Sequence, residues 1–243
     1  MVIGHFRPES GGVHMLQGSS QSACRQCGTC CRNGGAALHQ CDISLLQQEL
    51  IPRSDLITIR KGEFAHNPLS GNVQATANEI VKLRGSGKEW VCCYYDTLSK
   101  GCKIYGNRPV ACSTLKCWEP EESLKLVETD LLSRVEILGN DSATILLIAE
   151  YEGNCPLPDF KNLGFDLDLS AGETLERLEK SVNSDLAFRN HAVALSAMIL
   201  KDEMFLFGRP LFQMLSPFGL DIIQAGTQLS VQINRNRGVR VQG

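Results

Sequence analysis

The stretch that organises this chain is CRQCGTCCR, residues 24–32. Two residues separate Cys24 from Cys27 and Cys27 from Cys30, and Cys31 follows directly. Such spacing lets successive thiolates point at one centre while backbone amides turn inward, as iron–sulfur proteins present consecutive ligands. Gly28 suits the turn, because glycine tolerates a positive φ and a close approach of backbone to a cluster. The stretch therefore predicts a metal-binding loop.

The adjacent residues Cys30 and Cys31 indicate how many metal centres the loop could serve. Side chains of neighbouring residues are expected to diverge, so one metal ion in relaxed geometry would not take both thiols. Two neighbouring centres, or one cluster with a spare thiol, both remain open. Thr29 and Arg32 are candidate hydrogen-bond donors to cluster sulfurs.

A second group of cysteines follows at Cys92, Cys102, Cys112 and Cys117. Residues 102–112 read CKIYGNRPVAC, with a stiff turn at 108–109 because proline fixes φ and restrains the residue before it. A centre held by four thiolates is anionic, and an arginine in this turn would lower that charge and tune its potential. Four ligands within eight residues cannot enclose two centres alone. We therefore expect residues 24–31 to meet this second group in space.

The combined pattern C-x2-C-x2-C-C, C-x-aromatic-x-D and C-x-I-Y-x-x-R-P-x-x-C resembles the YkgJ-type cysteine-cluster family, described as a putative zinc- or iron-chelating domain. Flagellin lysine N-methylases carry a similar module. The resemblance covers Cys24 to Cys117. It implies metal binding by Cys24, Cys27, Cys30, Cys31, Cys92, Cys102 and Cys112, and by Cys117, which fits a cysteine seen in part of the family.

The resemblance also implies supporting residues around the thiols. Those positions are Asp42, Asp96, Tyr105, Arg108 and Pro109, of which Tyr105 and Arg108 are the candidate cofactor-binding side chains. Cys92 aligns rather than Cys93, because the pattern places an aromatic residue two positions later. Ser113 departs from the pattern, since the family often has arginine there. No resemblance extends beyond residue 120.

The choice of metal rests on spacing and ligand softness. Zinc sites usually pair C-x2-C with a second C-x2-C or with a histidine-bearing knuckle. Neither is present, and no histidine lies between Cys92 and Cys117. The spacing therefore favours one or two iron–sulfur clusters, of the [4Fe–4S] type, with zinc as the alternative. The remaining cysteines are interpreted as ordinary thiols, namely Cys41, Cys93 and Cys155.

Composition and net charge limit the partners and the cellular location that the sequence predicts. The chain has 243 residues, a formal net charge of −3 and a pI near 6.0, which predicts no broad attraction to nucleic acid or anionic lipid. No secretory signal and no membrane-spanning apolar stretch are visible. Eleven cysteines are an odd number, which argues against a complete disulfide framework. We therefore expect a cytoplasmic protein, whose clustered cysteines are metal ligands.

The pattern of apolar residues predicts an α+β fold. We expect a flexible arm over residues 1–20, an irregular metal-organised cysteine-cluster domain with short helices and a hairpin over 21–120, and an α+β region with one long helix over 121–243. The predicted elements are a helix at Ile43–Ile51, an amphipathic piece at Leu56–Ile59, a hairpin of Glu79–Arg84 with Glu89–Asp96, a hairpin of Arg134–Leu138 with Thr144–Tyr151, a helix opening at Ser170, and a hairpin of Gln228–Ile233 with Val239–Gln242.

Two functions remain open at this level. One is an iron–sulfur protein with a redox or protein-modification role, acting with a redox partner or on a protein or peptide substrate. The other is a zinc-binding structural or interaction module without catalytic activity. No paired carboxylates and no nucleophile–histidine arrangement stand out, so the sequence assigns no catalytic residue.

Overall fold

The computed structural model describes residues 21–87 and 89–234. The helices are α1 (Thr29–Arg32), α2 (Ile43–Gln47), α3 (Val110–Thr114), α4 (Glu121–Leu124), α5 (Arg134–Leu138), α6 (Ser142–Asn154), α7 (Leu163–Leu195), α8 (Ala197–Phe207) and α9 (Leu211–Met214). The strands are β1 (Leu56–Ile59), β2 (Phe64–His66), β3 (Val73–Ala75), β4 (Ile80–Leu83), β5 (Gly85–Ser86), β6 (Val91–Cys92), β7 (Tyr95–Asp96), β8 (Gly101–Cys102), β9 (Leu220–Ala225) and β10 (Gln228–Ile233). The predicted α+β class is confirmed.

The strands form antiparallel pairs. The pairs are β1 with β4, β2 with β3, β5 with β6, β7 with β8, and β9 with β10. All four residues of β1 are buried, because the strand pairs with β4 and packs against α8, where the Thr58 hydroxyl donates to the Phe205 carbonyl at 2.6 Å. The prediction of an amphipathic piece at Leu56–Ile59 is therefore wrong.

The predicted hairpin around residues 85–88 exists in a shorter form. Its paired residues are β5 and β6, whereas β4 turns away to pair with β1. The single strand expected at Glu89–Asp96 is wrong, because it is divided into β6 and β7, which pair with different partners. Trp90 adopts a positive φ of 57°, which prevents an extended strand from starting at Glu89.

Residues 134–151 form two helices rather than the predicted hairpin. Ser133 and Glu136 make a reciprocal capping box at the start of α5, with the Glu136 carboxylate accepting from the Ser133 backbone N–H at 2.8 Å. Asp141 accepts from the backbone N–H of Thr144 at 3.1 Å and starts α6. These caps satisfy orphan backbone donors, which outweighs the β preference of the branched residues between them.

The other expected elements were predicted with mixed accuracy. The helix predicted at Ile43–Ile51 is α2, which ends at Gln47. Glu49, two residues later, has a φ of 55°. Non-helical backbone angles at Ser170 divide α7 near the predicted helix start. The partner of Gln228–Ile233 is β9. The partner expected from the sequence, Val239–Gln242, lies outside the described residues.

Two apolar clusters hold these elements together. One is formed by buried side chains from both sides of residue 120, including Leu38, Leu83, Tyr95, Tyr151 and Phe207. The other is built around α7, α9 and the β9–β10 pair. The expected boundary near residue 120 stays a prediction.

Buried ion pairs join the segment before residue 120 to the helices after it. The Arg134 guanidinium donates to Glu79 at 2.5 Å and to Glu152 at 2.8 Å, and Arg60 also pairs with Glu152. Arg209 pairs with Glu63, whose side chain is fully buried. Removing one partner would leave a buried charge uncompensated, so these pairs fix how the two segments meet.

No helix in the described part of the chain is both long enough and apolar enough to cross a bilayer.

Candidate metal centre

Residues 24–31 form a tight loop that runs into α1. Gln26 and Gly28 have φ values of 55° and 80°, so the backbone takes left-handed angles at two positions before the helix begins. The Gln26 backbone N–H donates to the Cys24 sulfur at 3.3 Å, and the Thr29 hydroxyl lies 3.3 Å from the Cys27 sulfur. This hydrogen bond from Thr29 lowers the pKa of Cys27. Thr29 therefore contacts a cysteine sulfur, as its position in the sequence predicts.

The loop rests on the β7–β8 hairpin. A Cβ atom added at Gly28 would lie 2.2 Å from the Tyr95 hydroxyl oxygen, so no larger residue fits there unless its surroundings shift. A Cβ atom at Gly101 would lie 3.1 Å from the Gln26 side-chain oxygen. The Arg32 guanidinium lies 5.7 Å from the centre of the Tyr95 ring. The loop therefore packs closely against the hairpin.

The two short hairpins deliver Cys92 and Cys102. Cys92 is paired with Gly85 across β5 and β6, and Cys102 is paired with Tyr95 across β7 and β8. Asp96 shapes the second turn, because its carboxylate accepts from the Leu98 backbone N–H at 3.1 Å and from the Ser99 hydroxyl at 2.7 Å. The sequence predicts Asp96 as a supporting residue, and its contacts lie in the turn before Cys102.

Cys92 and Cys93 have different surroundings. Cys92 is buried and interacts electrostatically with Cys30 and Lys82. The Cys93 sulfur lies in the turn between β6 and β7, 3.9 Å from the Asp55 carbonyl oxygen. Of these two neighbours, Cys92 is the one that faces the other cysteines.

Helix α3 carries Cys112 and begins after the turn that contains Arg108. The Arg108 Nε donates to the Tyr105 carbonyl at 2.8 Å, and its guanidinium lies 3.7 Å from the centre of the Tyr105 ring. The Asp42 carboxylate accepts from the Val110 backbone N–H at 2.8 Å and fixes the first residue of α3. The turn and the carboxylate together set the position of Cys112.

Five thiols lie within electrostatic reach of one another. They come from α1, β6, β8 and α3 and are Cys30, Cys31, Cys92, Cys102 and Cys112. Residues 24–31 therefore meet the second cysteine group in space. Within residues 21–87 and 89–234, no three Cys, His, Asp or Glu side chains converge tightly enough to hold one metal ion as they stand.

The thiols do not share one protonation state. A hydrogen bond from the Cys31 thiol lowers the pKa of Cys30 to about 6. A hydrogen bond from Cys93 lowers the pKa of Cys92 to about 7. Burial raises the pKa of Cys102 and raises that of Cys112 to about 12. The lowered pKa values favour the thiolate forms of Cys30 and Cys92, whereas metal binding at Cys102 and Cys112 would displace protons.

Two cationic side chains face the thiols. Arg108 favours the thiolate forms of Cys30, Cys102 and Cys112. The Lys82 Nζ would lie 3.6 Å from a Cβ atom placed at Gly34, directly after α1. Burial lowers the pKa of Lys82, while Cys92 and Cys112 favour its charged form. Sequence reasoning missed Lys82, because nothing in a lysine on a short strand reveals what lies opposite it.

The remaining cysteines lie apart from the five thiols or at their edge. Cys27 is exposed and interacts with Cys30. Cys117 is exposed and Cys24 is half-buried. Cys41 lies beside Asp42 and Asp130, and the buried Cys155 faces Asp185 and Arg60. The assignment of Cys24 and Cys117 as ligands stays a prediction.

Comparison with family models matches residues 23–130 to the CxxCxxCC family, described as a putative zinc- or iron-chelating domain. The matched segment is a little under half of the chain. Comparison with curated proteins and with solved structures returned no match. The suspected cysteine-cluster family is confirmed, and the family description supports a zinc or iron cofactor.

The residues of this CxxCxxCC domain fit such a metal in two respects. The donors that face one another are all sulfur, which suits the soft and borderline metals that cysteine binds. The Tyr95 hydroxyl oxygen is buried, and within the described residues it has no hydrogen-bond partner. A buried polar atom of this kind calls for an ion, a group or a water molecule beside it. Tyr95 was also missed by sequence reasoning.

Proposed function

We propose that the CxxCxxCC domain binds an iron–sulfur cluster of the [4Fe–4S] type, with a redox or protein-modification role. The observation that carries the proposal is the meeting of Cys30, Cys92, Cys102 and Cys112. These four thiols come from four separate segments and interact electrostatically with one another, and four is the ligand number of such a cluster. Cys24, Cys27, Cys31 and Cys117 are the further candidate ligands, for a second centre or for exchange with the first four.

The spacing of the loop supports iron–sulfur over zinc. Consecutive C-x2-C-x2-C ligands completed by a distant cysteine are typical of iron–sulfur proteins. A closed zinc site takes four ligands, whereas this segment offers more thiols than one zinc ion needs. Zinc stays the alternative, as a structural ion in a module that binds a partner, because the family description includes it.

The surroundings of the thiols support a redox role. Lys82 and Arg108 face a group of thiolates whose negative charge would increase when a cluster is reduced, and cations nearby favour the reduced form. The exposed Cys27 and Cys30 place one side of the centre at the protein surface. A redox partner, or a protein or peptide substrate, would approach from that side. A cytoplasmic location, where thiols stay reduced, fits this proposal.

The test is anaerobic purification of the full chain, followed by a visible spectrum and by iron, acid-labile sulfide and zinc analysis. A brown protein with matching iron and sulfide supports the proposal. Its spectrum should bleach with dithionite and return on reoxidation. A colourless protein that holds stoichiometric zinc, and that takes up no iron on anaerobic reconstitution, would replace the iron–sulfur proposal by the zinc alternative.

A further inference from the structure

Tyr95 has a hydroxyl group that the described protein does not satisfy. The side chain is 7% exposed and packs in the apolar cluster that contains Leu38 and Tyr151. In the β7–β8 pair, Tyr95 lies opposite Cys102. Its hydroxyl oxygen is buried without a hydrogen-bond partner. Nearly all buried hydroxyl groups in proteins are hydrogen-bonded, because leaving one unpaired costs the free energy of its lost hydration. The group that satisfies this hydroxyl is therefore absent from the protein atoms described.

The location of the hydroxyl indicates what that group is. The oxygen lies directly against Gly28, between Cys27 and Cys30 in the loop. The half-buried Cys31 packs against the same apolar cluster as Tyr95. The hydroxyl thus lies against the backbone of the loop whose cysteines would bind the metal. Metal-bound thiolates and cluster sulfides are hydrogen-bond acceptors, and their partners tune the metal.

The neighbouring Tyr94 provides the contrast. Its hydroxyl donates to the Asp55 carboxylate at 2.6 Å, and the neighbouring Cys93 sulfur lies 3.9 Å from the carbonyl oxygen of the same Asp55. Two adjacent tyrosines therefore differ in one respect that matters: one hydroxyl is satisfied by the protein and the other is not.

We propose that the Tyr95 hydroxyl donates a hydrogen bond to a metal-bound sulfur of the centre that the loop holds. This inference rests on the proposed metal binding and makes Tyr95 a positioning residue for the loop. Removing the hydroxyl should leave the metal-free protein as stable as before or more stable, because an unpaired polar group is removed. The same change should weaken metal retention by about tenfold or more, as loss of partners to metal ligands commonly does.

The experiment compares the full chain with Tyr95→Phe and with Tyr94→Phe as the matched control. Each protein is purified anaerobically with the metal it carries. Transfer of that metal to excess chelator is then followed by the absorbance of the metal–chelator complex. Thermal unfolding of each metal-free protein is measured separately. We expect Tyr95→Phe to lose metal about tenfold faster with an unchanged or higher apo Tm, and Tyr94→Phe to show a lower apo Tm with metal loss within about twofold of wild type.

Three outcomes would overturn the inference. Metal loss from Tyr95→Phe within about twofold of wild type shows that the hydroxyl does not serve the centre. A lower apo Tm, or failure of this variant to fold, shows that the hydroxyl has a structural partner. A wild-type chain that carries and accepts neither iron nor zinc refutes metal binding itself. Only that last result concerns the proposed function, so the two failures are distinguishable.

Discussion

The carboxylate of Asp42 accepts a hydrogen bond of 2.8 Å from the backbone N–H of Val110, across 68 positions of sequence. Its other oxygen accepts from the His39 backbone N–H at 2.9 Å. Asp42 is only 4% exposed. One buried side chain therefore joins the first apolar core to the start of α3, two residues before Cys112.

Replacing Asp42 should affect both stability and metal binding. Asp42→Ala leaves two backbone donors without an acceptor, and we expect the free energy of unfolding to fall by about 2 kcal/mol. Because α3 then loses its anchor, metal content at equal protein concentration should also fall. Chemical denaturation and metal analysis measure the two effects.

The variant Asp42→Asn keeps one acceptor oxygen, so its stability and metal content should lie between those of Asp42→Ala and wild type. The exposed Asp221→Asn should change stability by less than about 0.5 kcal/mol. Full stability in Asp42→Ala would contradict this role.

Cys92 and Cys93 form a matched pair for testing ligand identity. Cys92→Ser should lower metal content strongly, because a hydroxyl replaces a thiolate poorly as a ligand for soft metals. Cys93→Ser should retain nearly all the metal, since that side chain faces Asp55. Metal analysis of both variants, with Cys41→Ser and Cys155→Ser as distant controls, checks the assignment. Equal metal content in Cys92→Ser and wild type would contradict it.

The buried Cys155 predicts a loss of stability at alkaline pH. Burial raises the pKa of Cys155 from 9.0 to about 11 in the folded protein. Below pH 9 the thiol is protonated in both states and contributes no pH dependence. Between pH 9 and about 11 the unfolded chain releases this proton more readily, so the folded state binds more protons and stability falls as pH rises.

Cys155→Ala should therefore reduce the decline in unfolding free energy across that interval. The full effect of a shift of this size is at most about 3 kcal/mol. Urea denaturation at pH 8 and pH 10 for wild type and variant gives the difference in slope. Identical slopes would show that Cys155 is not the group responsible.

Removal of the metal should loosen only part of the domain. Residues 24–35 and 85–117 contain strands of two residues and helices of four or five, so they bury little and depend on metal–thiolate bonds. Strand β1 is fully buried, so the intervening residues should stay folded without metal. This narrows the expectation that the metal organises the domain over residues 21–120.

Limited proteolysis with trypsin checks this prediction. In metal-free protein we expect faster cleavage after Arg25, Arg32, Lys100 and Lys103, with fragments identified by mass. The buried Arg134 and Arg189 should stay protected and serve as internal controls. Equal cleavage rates with and without metal would show that the metal does not organise these segments.

The sequence was a good guide wherever chemistry and spacing are local. The loop at residues 24–31, the hydrogen bond from Thr29 to Cys27 and the mixed α+β composition could all be predicted, because each depends on neighbouring residues. It was a poor guide where branched apolar residues occur between helix caps. Residues 134–151 became two helices because Ser133 and Asp141 satisfy backbone donors that a strand preference ignores.

The sequence by itself determined that this chain carries a cysteine-cluster domain, since the order and spacing of its thiols are written along the chain and agree with the family at residues 23–130. Only the tertiary structure decided which groups surround those thiols. Lys82 belongs to β4 and Tyr95 to β7, and their approach to the loop depends on strand pairing across long separations. Burial and electrostatic contact arise only when distant segments pack, which is why the differing pKa values of Cys30 and Cys112 and the unpaired Tyr95 hydroxyl could not be read from spacing.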